Sequence, residues 1–249
     1  MSEPLTPAPP SGSDPSEKGT ARPPRLNLAA LTAEELQDLL GESAAQRLMP
    51  ELSQARLEGR PVLADPVPRE QEYQPQAERS WGGTAEQSRQ LAALRQELLT
   101  LGAVDLGVYY LPLISEVRHL RAMLLAPDVA VAVRWSETPE HSRASLPFVV
   151  AATLLRDRAS GTAAVLSSTS ALPFVPTQSE EIDARLHQGA GVAALLDAHR
   201  VQVSRHGRGV RLGQAEGHEQ ADWLKVYAAV RTLNHSAWTR RGLLVPDLA

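Results

Sequence analysis

The densest gathering of acid and imidazole in the chain is EGHEQAD, residues 216–222. Glu216, His218, Glu219 and Asp222 are the residue types that hold a divalent metal or pass a proton, and on a helix His218 and Asp222 stand one turn apart. The same residues suit a helix N-terminus, where carboxylates meet the positive end of the backbone dipole. The dipole role is the preferred reading, and the cluster is carried forward as a candidate acid–histidine site.

A second gathering is HRVQVSRHGRGVRLG, residues 199–213, which holds Arg200, Arg205, Arg208 and Arg211. A guanidinium presents a planar fork of donors that matches a phosphate. Aromatic side chains, on which bases stack, do not interleave with these arginines. A solvated surface is therefore preferred, with an anion-binding patch, to which Arg231, Arg240 and Arg241 of the last helix could add, as the alternative.

The seven histidines are His119, His141, His187, His199, His206, His218 and His235. None makes an HxH or HExxH spacing. On one helix His199 and His206 would lie about 10 Å apart along the axis, too far to share an ion. Ser167, Ser168 and Ser170 lack the GxSxG elbow of a nucleophile and read as turn chemistry. GRGVRLG has neither the spacing nor the context of a phosphate loop or dinucleotide fingerprint. The chain has no cysteine, which excludes disulfides, thiolate metal sites, iron–sulfur clusters and cysteine nucleophiles. No cofactor and no metal are expected.

Formal charge is −4 over 249 residues. That is not the positive field of a dedicated nucleic-acid binder, so nucleic acid is not an expected partner. No apolar run approaches the ~20 residues that span a bilayer, and the N-terminus lacks the basic-then-apolar pattern of a secretory leader. A soluble cytoplasmic protein with a protein partner and no membrane partner is expected.

Residues 1–26 are rich in Pro, Ser and Gly and read as a disordered tail. Residues 31–58 form a short helical segment: Thr32 and Glu35 have capping-box spacing, Leu36, Leu39 and Leu40 share a face, and Gly41 is a stop. Residues 60–83 hold four prolines and read as a linker. Residues 84–249 read as one α+β domain. Thr84 and Gln87 start a helix that carries Leu91, Leu94, Leu98 and Leu101 on one side.

From Asp105 short β-branched runs follow one another, with turns at Ala126-Pro127-Asp128 and Arg156–Gly161. They predict an antiparallel β-meander of five or six strands over about 105–187, the sixth in EEIDARLH. Helices 84–101, 190–206 and 219–241 are expected to flank it and cover one face. The helix 190–206 is preferred to a hairpin because it uses Val192, Leu195, Leu196, His199 and Val203 together. The last helix carries Trp223, Tyr227, Val230, Asn234 and Trp238 and stops at Gly242.

The functional expectation is a binding or protein-interaction module without catalytic activity. A small hydrolase or metal-dependent enzyme working through the acid–histidine cluster is the alternative. A nucleic-acid accessory protein using the arginine patch is the second.

Overall fold

In the computed structural model, residues 22–78, 81–112, 117–137, 147–158 and 160–246 are described. Strand β5 (His119–Leu125) is buried at every position, and β6 (Val129–Trp135) at all but one. Continuous apolar runs of this kind must be covered on both faces. They lie inside a seven-stranded sheet with β3 (Gln74–Gln76), β4 (Val104–Tyr110), β7 (Phe148–Leu154), β8 (Ala164–Ser168) and β9 (Ile182–Leu186). The strand order is β3-β4-β5-β6-β7-β8-β9.

The α+β class holds, and β4 to β8 are consecutive antiparallel neighbours as a meander requires. The expected five- or six-stranded antiparallel meander is corrected at both edges. β3 comes from the stretch 60–83 that reads as a linker, and it pairs antiparallel with β4. It is three residues long, too short to show alternation, and its Pro75 is tolerated because an edge strand needs no second ladder. At the other edge the chain crosses over after β8, and β9 pairs parallel to it, which makes the sheet mixed. An amphipathic pattern at 180–187 signals a half-exposed strand but says nothing of its direction.

The expectation that the helices cover one face is also corrected. Helix α5 (Glu219–Arg240) covers one face, with Trp223, Val226, Tyr227 and Val230 in the same core as Leu120, Ala122, Ala132 and Val150. Helices α3 (Ala85–Thr100) and α4 (Val192–His206) cover the other, where Leu98, Leu195 and Leu196 meet Met123, Val131 and Val133. The reason lies in the two-sided strands, which have no solvated face to offer.

The N-terminal helical segment is two helices, α1 (Ala33–Leu40) and α2 (Glu42–Leu57), separated at Gly41, whose φ of 89° few other residues adopt. Thr32 and Glu35 form both halves of the capping box. The helices pack with an antiparallel sheet ordered β10-β1-β2, built from β1 (Arg25–Asn27), β2 (Leu63–Pro66) and β10 (Leu244–Val245). Leu31, Leu36, Leu52 and Leu243 close this third core. The first and last described strands are thus joined in one sheet. The tail reading of residues 1–26 lies outside the described residues over 1–21 and is corrected at its end, where Arg25 and Leu26 belong to β1. Among the described residues no helix is long and apolar enough to cross a membrane.

Candidate functional site

A cavity of about 310 Å³ lies where the N-terminal unit meets the α5 side of the large sheet. Its walls are largely apolar, with Leu39 and Leu40 from α1, Phe148 from β7, and Leu172 and Val175 from the crossover. A smaller recess of about 120 Å³ adjoins it and also involves Gln71, Arg134, Arg231 and Trp238. Leu36 is fully buried in its own core, which leaves the other two leucines of the α1 face to line the cavity.

Two arginines reach into this apolar space. Arg134 lies on β6, where alternation puts it on the same sheet face as Ala130 and Ala132, paired with Leu120 and Phe148. Its guanidinium carbon sits 5.7 Å from the centre of the Tyr227 ring, a cation–π distance. Its Nε is sealed from solvent and has no hydrogen-bond partner. Arg231 on α5 donates from Nε and Nη2 to the carbonyl of Pro68, at 2.9 and 2.5 Å. Burial lowers the Arg231 pKa, and the charge of Arg134 adds to that. Burial likewise raises the pKa of Tyr73 and Tyr227. The Gln71 side-chain oxygen is buried without a partner, while its Nε2 donates to the carbonyl of Glu72. Asp65 lines the larger cavity on the β2 side. Positive charge brought into apolar surroundings without a hydrogen-bonded anion costs free energy, which an anion in the cavity would offset.

A second polar constellation lies under α4. The Ser167 Oγ is 2.8 Å from Nδ1 of His199, and the Thr153 Oγ1 is 3.0 Å from its Nε2. Ser167 also donates to Gln202 Oε1, and Thr153 to the carbonyl of Asp128. A serine against an imidazole is the pairing of a nucleophile with its base. Here Ser167, Thr153 and His199 are all 0% exposed, so no substrate reaches them. Burial, with the charges of His187 and Arg200, lowers the His199 pKa to about 4, and the ring is neutral at pH 7. A neutral ring donates from one nitrogen and accepts at the other. Each hydroxyl holds one proton, shared between the ring and its other acceptor, Gln202 Oε1 for Ser167 and the Asp128 carbonyl for Thr153. The network pins α4 to β7 and β8.

The acid–histidine candidates lie around the N-terminus of α5. Glu216 and His218 are exposed, and Glu219 and Asp222 are half-buried. The Asp222 carboxylate accepts the backbone N–H of Gly213 at 2.7 Å, and His218 occupies the N-cap position without a side-chain cap bond. Among the described residues no three His, Asp or Glu side chains gather to hold a metal. Three of the four candidate arginines, Arg200, Arg208 and Arg211, line one open groove together with Arg156, while Arg205 is not part of its wall.

Sequence reasoning passed over Arg134, Gln71 and Tyr73; it offered Arg231, with Arg240 and Arg241, only as an addition to the arginine patch, whereas Arg231 lines the Arg134 cavity and not the arginine groove. For Arg134 a signal was present: in VAVAVRW it is the charged residue on a strand face otherwise made of alanine. Arg231 carries no comparable mark, since a charge beside Val230 on a long helix is ordinary. No family model, curated protein or solved structure matches the chain.

Proposed function

We propose that the chain is a binding module whose cavity takes a small amphipathic acid, with the carboxylate against Arg134 and Arg231 and the alkyl part among Leu39, Leu40, Phe148 and Val175. The observation that carries this reading is the Arg134 guanidinium, set in an apolar wall with its Nε sealed and unpaired. A carboxylate meets such a fork with two parallel hydrogen bonds. The cavity volume is at the low end for ligand sites, which suits a medium-chain acid. Burial raises the pKa of Tyr73 and Tyr227, so neither phenol exchanges protons near neutral pH.

Calorimetric titration with decanoate, and with decanol as its uncharged counterpart, tests the reading. The acid is expected to bind about tenfold or more tighter than the alcohol, as one charge-assisted hydrogen bond implies. Arg134→Met should erase that preference while leaving the ligand-free protein as stable as before or more so, because it replaces an unpaired charge with apolar volume. Equal binding of acid and alcohol by the unaltered protein, or binding of neither, would sink the proposal.

A further inference from the structure

The other end of β6 carries a different surface. An open groove of about 840 Å³ lies beside the β5–β6 turn, between the C-terminal end of α4 and the segment that follows it. Arg156, Arg200, Arg208 and Arg211 all line it, against the single carboxylate of Asp128. Their backbones are fixed. The Arg156 N–H donates to the carbonyl of Arg208 at 2.9 Å, Val210 N–H to that of Leu154 at 2.8 Å, and Leu212 N–H to that of Pro127 at 2.8 Å. Residues 208–212 are therefore laced to the end of β7 and to the turn. Gly209 lets the backbone pass close to the Asp128 side chain, which a Cβ there would have to push aside. Burial raises the pKa of Asp128, the one carboxylate residue among the described residues lining the groove.

The arginines are not used up by internal pairing. Arg200 meets Asp197 at 3.1 Å in an exposed pair on its own helix, of the kind that contributes little. Arg156, Arg208 and Arg211 have no ion pair among the described residues. Ser204 and Gln214 add polar atoms to the wall, and among the described residues no aromatic ring lines it.

From this convergence we infer that the groove is a binding site for a chain of phosphates. Two sources present that chemistry: inorganic polyphosphate and the backbone of a single nucleic-acid strand. The absence of aromatic rings among the lining residues removes the stacking platform that would read bases, so recognition is of phosphate and is indifferent to sequence. A concave groove fits a strand better than the flat headgroup plane of a membrane.

Fluorescence anisotropy with labelled oligothymidylate at low salt, and competition with sodium tripolyphosphate, tests the site. The variants are the Arg208→Ala/Arg211→Ala double change, with Arg205→Ala as the control that removes equal charge type from outside the groove. Thermal melts check that all are folded. The double change is expected to weaken binding about tenfold and to flatten the salt dependence by about 0.7 in log–log slope per arginine lost, whereas Arg205→Ala changes neither. If tripolyphosphate binds directly and oligothymidylate does not, the free anion is the source. If oligothymidylate binds and tripolyphosphate displaces it, the strand is. No binding of either at low salt overturns the inference. An equal loss from Arg205→Ala also overturns it, because net charge and not the groove would then be responsible. So does adsorption to anionic phosphatidylserine vesicles without binding to either probe.

Discussion

Acidification through the window from pH 6.5 to 4 is expected to remove about 3 kcal/mol of folding stability through His199 alone. The folded ring has a pKa of about 4, below its value of 6.5 when solvated. Between these values the unfolded chain binds a proton that the folded one excludes. The stabilisation is therefore complete above pH 6.5 and fades as the pH falls to the folded pKa. The groups facing the ring explain why it stays neutral. The Thr153 and Ser167 hydroxyls meet its two nitrogens, no carboxylate is hydrogen-bonded to it among the described residues, and burial, His187 and Arg200 oppose a positive charge. Urea melts across the window should show a steep loss in the unaltered protein and a shallower one in His199→Gln. His235, whose pKa burial also lowers, keeps part of the slope. Ser167→Ala leaves Nδ1 and Gln202 Oε1 buried without the hydroxyl they share and should cost about 1–3 kcal/mol at neutral pH. An unchanged slope in His199→Gln would show that acid lability arises elsewhere.

His199 also shows what the sequence discloses and what it hides. Its place on the apolar face of α4 follows from its spacing with Val192, Leu195, Leu196 and Val203, and that face is buried. Its partners are not legible, because Thr153 and Ser167 come from two strands whose inward positions depend on register. Helix boundaries were the most readable part. Thr84 caps α3 through the Gln87 N–H, and Gly207 follows the last residue of α4. Short edges were the least readable. β3 has no periodicity to detect, and the direction of β9 is set by a crossover rather than by its own residues. The same limit applies to the candidate sites. Arg200, Arg208 and Arg211 are neighbours in the chain and could be grouped by eye, but Arg156 joins them only because residues 208–212 run beside the end of β7. The Arg134 cavity needs the N-terminal unit to fold back on the sheet. The β1–β10 pairing that accompanies this return is not legible either, because a two-residue strand gives no sequence signal.

The fold-back rests on Glu35, and replacing it with alanine is expected to cost about 3 kcal/mol, the lower end for breaking a buried charge pair because Arg241 is partly exposed. One side chain joins three parts of the chain. Its Oε2 accepts the Thr32 N–H at 3.0 Å and closes the capping box of α1. Its Oε1 accepts the N–H of Thr177, in the crossover before β9, at 2.8 Å. Arg241, just past α5, places Nη2 2.9 Å from both oxygens. Burial by itself would raise the carboxyl pKa, but these donors outweigh it and bring it down to about 2. Glu35→Ala leaves two backbone N–H groups and a guanidinium without their acceptor. Glu35→Gln restores one acceptor but turns an amide N–H₂ toward the remaining donors, so an intermediate loss is expected. The pH dependence separates this site from His199. A carboxyl with a folded pKa of about 2 against 4.5 stabilises fully above pH 4.5, and the contribution is lost as the pH falls through the folded value. Glu35→Ala should therefore remove the lower acid step and leave the step between pH 6.5 and 4 in place. Because Leu39 and Leu40 of the same helix line the cavity, the variant should also bind decanoate more weakly at neutral pH. A Glu35→Ala protein within about 0.5 kcal/mol of the original, the range of ordinary surface changes, would mean that α1 is held to the sheet by apolar contact alone.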